Sequence, residues 1–166
     1  MDGRLAIIFW LASLFGFEDV RQYPVNELSF SVGGLHTDGQ FIGSELRASY
    51  YDQRFWRFTT VWDGSITNEG GAWFGYGLYQ QFGFQLGRQE MFLGLSFAPG
   101  LYIQGGEMDL GSPLEFRSGF AVGTYLGNDW RVSLSYDHRS NGDLASFNPG
   151  VETIELRVSR PFGASR

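Results

Sequence analysis

Apolar and polar residues alternate along most of the chain from Glu27 onward. Strict alternation predicts β-strands whose two faces meet different surroundings, and no helical periodicity competes with it. Most of the alternating stretches approach the ~9–11 residues that a tilted transmembrane strand needs. Gly, Asn, Asp and Pro separate eight such stretches, at approximately 27–35, 41–51, 55–63, 72–86, 91–103, 114–126, 130–139 and 151–160.

The two faces of these strands differ in a way that favours a membrane barrel. One face carries large apolar residues, as in Phe74, Tyr76 and Leu78, whereas the other is rich in Gly, Ala and polar residues. Apolar groups outside and polar groups inside are typical of outer-membrane barrels, and closing the sheet removes edges that lipid cannot satisfy. We therefore predict an all-β fold, an eight-stranded antiparallel transmembrane β-barrel of the outer-membrane type. A soluble lipocalin-like barrel or sandwich is the alternative. Residues predicted to pair in the narrow lumen are Glu45, Arg47, Arg57 and Arg117.

The connections between strands alternate between long and short, as in an outer-membrane barrel. Odd-numbered connections contain the long polar segments HTDGQ, DGSITNEGG, GGEMDLGSP and NGDLASFNPG, and even-numbered ones the short segments DQR, GRQE and GND. Long loops outside and short turns in the periplasm are usual for such proteins. Aromatic residues near the strand ends are expected to form interfacial girdles. These are Tyr50, Tyr51, Trp56, Trp62, Trp73 and Trp130.

The N-terminal segment, residues 1–22, differs from the rest, and we assign the barrel to residues 23–166. Arg4 precedes an apolar run from Leu5 to Phe17, which is followed by acidic residues. This order resembles the core of a secretory signal peptide, although Asp2 dilutes the positive charge and no A-x-A cleavage site is evident. The alternative is a short amphipathic or buried helix.

Composition narrows the range of functions. The net charge of −6 argues against a nucleic-acid partner, which requires clustered Lys and Arg. The chain has no cysteine, so disulfide frameworks and thiolate metal sites are excluded. His36, in the first predicted long connection beside Asp38, lacks the further ligands that a metal site would need. We predict neither a metal nor a cofactor.

Catalytic residue types occur on the apolar face of the last two strands. Residues at alternate positions of a strand face the same side, which we call their parity. On strand seven, His138 and Ser140 share the parity of the apolar Leu134 and Tyr136. On strand eight, Glu152 shares the parity of Ile154. A hairpin places these strands side by side, so the three polar groups are expected to lie together at its open end. A serine nucleophile needs a base, and the base needs an acidic partner that fixes its tautomer. The alternative is a set of ordinary polar residues where the strands leave the lipid.

The residues beside Ser140 are suited to stabilising an oxyanion. The Asn141 side chain and the Gly142 backbone N–H could donate to a developing negative charge. Arg139, between His138 and Ser140, has lumen parity and is expected to pair with Asp137, or alternatively to bend toward a lipid phosphate.

The runs HRSN, residues 138–141, and NPGVE, residues 148–152, resemble the signature of the PagL-type lipid A 3-O-deacylases. That family consists of eight-stranded outer-membrane hydrolases with a His-x-Ser-Asn run followed by an Asn-x-Gly-x-Glu run. The resemblance implies that His138, Ser140 and Glu152 are catalytic. It also implies that Asn141 is an oxyanion-hole residue and that Asn148 supports it. Over residues 136–155 the resemblance rests on specific motifs. Elsewhere it is limited to the number of strands, their alternation of apolar and polar residues, and the lengths of the loops.

By this resemblance the substrate is the lipid A part of lipopolysaccharide, and a 3-hydroxy fatty acid is released from the 3 position. The expected surroundings are the lipids of the bacterial outer membrane. Two other functions stay open: an esterase acting on another membrane lipid, and a non-catalytic barrel for adhesion or envelope integrity. The sequence does not distinguish a monomer from a homodimer.

Overall fold

The computed structural model describes Leu11 and residues 24–162, and within this range the chain forms a closed barrel of eight strands. The predicted segment 1–22 lies outside the described residues except for Leu11. Each strand pairs with the next in antiparallel fashion, and β1 pairs with β8 to close the barrel. The strands are β1 Glu27–Thr37, β2 Gln40–Phe55, β3 Phe58–Thr67, β4 Ala72–Leu86, β5 Gln89–Ile103, β6 Leu114–Tyr125, β7 Arg131–Ser140 and β8 Val151–Pro161. The predicted fold class is therefore confirmed.

The alternation of residue types produces an apolar exterior and a charged interior. Exterior side chains such as Phe30, Leu46 and Leu156 are more than half exposed on the isolated chain, as expected of a surface covered by lipid. Interior charges neutralise one another around Arg47, which pairs with Asp63, Asp137 and Glu155. A narrow barrel with such a filled interior has a solid core rather than a pore.

Two of the predicted long connections are shorter in the structure. In the first, β1 and β2 extend to Thr37 and Gln40, which leaves a two-residue turn of Asp38 and Gly39 with positive φ. Such a turn matches the twist of a β-hairpin. In the second, β3 continues to Thr67 because its polar residues face the lumen rather than solvent. The other two long loops, residues 104–113 and 141–150, lie as predicted, and their end of the barrel is called the loop end below.

Parity determines the orientation of the aromatic residues more strongly than their position near a strand end. Trp73 and Tyr51, predicted in the girdles, are buried in the lumen. The Trp73 indole lies under the Arg117 guanidinium, at 5.5 Å from the ring centroid, in space left by glycines. A Cβ at Gly100 would approach this indole to 2.6 Å. The lumen prediction for Arg57 is also wrong, because this residue lies exposed in the β2–β3 turn.

A small apolar cluster closes the lumen beneath the loop end. Leu110 of the loop 104–113 belongs to this cluster, so that loop is packed onto the end of the lumen. The cluster consists of Leu35, Trp73, Ala98, Tyr102, Leu110 and Val151.

Candidate active site

His138, Glu152 and Ser140 lie on the outer face of the barrel at the loop end. His138 on β7 is the direct cross-strand partner of Glu152 on β8. Ser140 follows two residues after His138 on the same face of β7, which puts the two Cβ atoms about 7 Å apart. On the other side of β7, Phe116 of β6 lies opposite Ser140. All three polar side chains are half-buried, so a molecule outside the barrel could reach them.

The imidazole and the carboxylate are close but do not form a tight hydrogen bond. Nδ1 of His138 lies 3.4 Å from Oε1 of Glu152, and their side chains are 18% and 22% exposed. Nδ1 makes no hydrogen bond within the described residues. Contacts between catalytic groups commonly shorten only in the complex with substrate. Because Nδ1 faces the carboxylate, Nε2 is the nitrogen left for a nucleophile.

Asn141 anchors the loop that joins β7 to β8. Its side chain is fully buried, and its Nδ2 donates to the carbonyl oxygens of Leu110, at 2.9 Å, and Phe147, at 2.8 Å. Its backbone N–H donates to Oδ1 of Asn148, at 3.0 Å. The Nδ2 of Asn148 in turn donates to Asp143, at 2.8 Å. These hydrogen bonds connect both long loops and hold the backbone that follows Ser140.

This arrangement changes the part expected of Asn141. Both amide hydrogens of Asn141 are used by loop carbonyls, so the side chain has none left for an oxyanion. The Gly142 backbone N–H, by contrast, donates to no acceptor among the described residues, and Gly142 is exposed. Asn148 retains one of its two amide hydrogens. Among the described residues near Ser140, the Gly142 backbone N–H is thus a donor without an acceptor, and the hydrogen bonds of Asn141 hold the loop that carries it.

Gly150 forms a wall beside the imidazole, a contact that the sequence alone did not reveal. Its φ of +69° lies in the left-handed region that favours glycine. A Cβ at this position would approach Cε1 of His138 to 2.9 Å. The available signal was the glycine inside the run NPGVE, but its contact with His138 depends on how the loop folds back.

The charged neighbours of His138 point into the lumen, but the predicted pair between Asp137 and Arg139 is wrong. Arg139 contacts Glu45 at 3.5 Å and lies over the ring of Tyr102 at 4.9 Å. Asp137 pairs with Arg47 instead, at 2.9 Å. Both charges are therefore engaged inside the barrel, on the opposite face of β7 from His138 and Ser140.

Within the described residues, no group of three or more His, Cys, Asp or Glu side chains is placed to hold a metal ion. His36 belongs to β1 rather than to a long loop, and its Nδ1 donates to the carbonyl of Gly34 at 3.1 Å. In the part of the chain that the structure describes, no helix has the length and hydropathy to cross a membrane.

Fold and site together define a class of protein: an eight-stranded membrane barrel with serine, histidine and glutamate side chains on its outer face. Comparisons with known proteins identify the family. The model of the family "Lipid A 3-O-deacylase (PagL)" matches residues 31–161, which is most of the chain. The chain therefore belongs to the PagL family of lipid A 3-O-deacylases. It is an outer-membrane enzyme that hydrolyses an ester, as the sequence motifs predicted.

Solved structures show the same fold at low sequence identity. The outer membrane enzyme PagL is 23% identical, with a TM-score of 0.66, and the match covers 82% of this chain and 99% of that one. Neisserial surface protein A is 11% identical, with a TM-score of 0.52, and covers 82% and 95%. A designed transmembrane β-barrel is 8% identical, with a TM-score of 0.53, and covers 85% and 98%. A comparison with curated proteins gave no match.

Proposed function

We propose that the protein hydrolyses the 3-O-linked acyl ester of lipid A with Ser140 as nucleophile, His138 as base and Glu152 as its acidic partner. The product is a free 3-hydroxy fatty acid. The observation that carries this proposal is the location of the three side chains on one outward face at the loop end. Family membership supports the substrate class.

In the first step, the Ser140 hydroxyl attacks the ester carbonyl while Nε2 of His138 accepts its proton. The resulting imidazolium faces the Glu152 carboxylate through Nδ1, across the 3.4 Å separation. His138 then returns the proton to the departing sugar oxygen, leaving an acyl group on Ser140. Water activated by His138 cleaves this second ester and releases the fatty acid. This cycle follows the general chemistry of serine hydrolases.

The tetrahedral intermediate carries a negative charge that needs fixed donors. We assign this task to the Gly142 backbone N–H, assisted by the remaining amide hydrogen of Asn148. Asn141 contributes as a positioning residue, because its buried side chain holds the loop through hydrogen bonds to Leu110 and Phe147. Removing one such oxyanion donor from an enzyme typically costs about 10²–10³ in kcat.

The surface next to Ser140 is suited to hydrocarbon chains. Phe116 lies opposite Ser140 and stacks with Phe97, with 6.0 Å between the ring centroids. Phe120 and Tyr136 form a second stacked pair further along the same face, at 5.6 Å. Lipid A occupies the outer leaflet with its esters just below the head groups. A site on the outer wall would reach those esters without extracting the lipid.

The test is mass spectrometry of lipid A incubated with the purified barrel and with its Ser140→Ala variant. We expect the parent protein alone to remove one 3-hydroxyacyl chain. Ser140→Ala should keep the heat-modifiable gel mobility of a folded barrel, because Ser140 is outside the lumen. Unchanged lipid A with folded parent protein would contradict the proposed substrate. Loss of a chain from a phospholipid instead would identify an esterase of another membrane lipid.

A further inference from the structure

We propose that the loop end of β1 belongs to the active site, with Thr37 as a positioning residue for His138. This inference rests on the proposed function and adds a third strand to the site. Barrel closure makes it feasible, because β1 pairs with β8 and β8 pairs with β7. The three strands thus lie side by side on one wall, although β1 is far from the others in sequence.

Thr37 acts on His138 through Gly150. The Thr37 hydroxyl donates to the carbonyl oxygen of Gly150 at 3.2 Å. The α-carbon of Gly150 faces the His138 ring so closely that an added Cβ would lie 2.9 Å from Cε1. Movement of Gly150 would therefore open or close the space in which the imidazole stands. The hydrogen bond from Thr37 connects this wall to the neighbouring strand.

His36 lies beside Glu152 in the sheet. It is the cross-strand partner of Glu152 from the β1 side, as His138 is from the β7 side. The Nδ1 of His36 donates to the Gly34 carbonyl at 3.1 Å, and its ring makes an edge contact with Phe41 of β2. The end of β1 therefore borders Glu152 on the side away from β7.

The Thr37 test uses a fluorophosphonate, which labels an activated serine regardless of the lipid substrate. We expect Thr37→Val to slow labelling of Ser140 about fivefold, the effect of losing one hydrogen bond, and Thr37→Ser to restore the rate. Thr59→Val is the control, because the Thr59 hydroxyl is buried at the other end of the barrel and has no partner among described residues. Parental labelling in Thr37→Val, or equal slowing in Thr37→Ser, would overturn the inference. Thr37→Ala decides the same question should the valine variant not fold.

The proposed function and the inference about β1 would fail in different ways. If the folded parent protein is not labelled at Ser140, the proposed catalytic function is wrong. If the parent is labelled and Thr37→Val matches it in rate, only the inference about β1 is wrong.

Discussion

Replacing Gly150 by alanine tests the proposed position of His138 most directly. The new methyl group would lie 2.9 Å from Cε1, whereas ordinary van der Waals contacts begin near 3.4 Å. The ring must therefore move by several tenths of an ångström or rotate away. Because a displacement of about 1 Å can cost an enzyme about 10²-fold in rate, we expect kcat/KM for deacylation to fall roughly 10- to 100-fold.

The same substitution also strains the backbone, and this effect needs its own control. Alanine in the left-handed conformation costs roughly 1–2 kcal/mol relative to glycine. Gly87, in the turn at the opposite end of the barrel, has a similar φ of +63°, and a Cβ there would meet nothing within 4 Å. Gly87→Ala should therefore show the loss of stability without the loss of activity.

The assay combines three measurements on each variant: the denaturant midpoint, the rate of lipid A deacylation and the rate of fluorophosphonate labelling. We expect similar midpoints for Gly150→Ala and Gly87→Ala, with slow deacylation and slow labelling in Gly150→Ala alone. Equal rates in the two variants would refute the reasoning, because they would show that the wall at Gly150 does not determine where the imidazole stands.

Three further variants test the support of the site and of the barrel. Asn141→Ala should slow Ser140 labelling and lower stability by about 1–3 kcal/mol, because the carbonyls of Leu110 and Phe147 lose their donor; an unchanged labelling rate would speak against its positioning role. Glu155→Ala should lower the free energy of unfolding by about 3–5 kcal/mol, since buried Arg47, Arg117 and Arg157 lose a shared partner. Chemical denaturation in detergent measures this loss, and an unchanged denaturant midpoint would contradict the prediction. Gly75→Ala should lower the free energy of unfolding by about 1–3 kcal/mol, because the added methyl group forces the Trp73 indole aside. A denaturant midpoint equal to that of the parent protein would show that the lumen can accommodate the methyl group.

The sequence predicted the barrel well because alternation is a local property. A residue's parity relative to its neighbours assigns it to lipid or to lumen, and eight alternating stretches suffice to predict closure. The structure differs from the prediction where residue type points one way and the alternation of faces another. Trp73 and Tyr51 are predicted in the girdles because they are aromatic residues near strand ends, yet they occupy lumen-facing positions and are buried. Ser65 and Thr67 fall in the predicted second long connection because they are polar, yet they are buried in the lumen.

The candidate site was partly predictable for the same reason. Parity and the β7–β8 hairpin indicated that His138 and Glu152 would be neighbours, and they are cross-strand partners. The contributions of Gly150 and Asn141 were not predictable, because they depend on the path of a ten-residue loop. That path is set by hydrogen bonds to Leu110 and Phe147, which no sequence period encodes. The proximity of β1 follows only from closure of the barrel.

The two faces of β7 allow one strand to serve stability and chemistry separately. Asp137 and Arg139 point inward to the ionic core, whereas His138 and Ser140 point outward. Because successive residues face opposite sides, the reactive groups need not be accommodated among the buried charges, and the charges need not be accommodated in lipid. The core can then hold the strand rigid while the outer face meets a membrane substrate. Substitutions of lumen residues should therefore mainly lower stability, whereas substitutions of the outward-facing residues at the loop end should mainly lower the rate of deacylation.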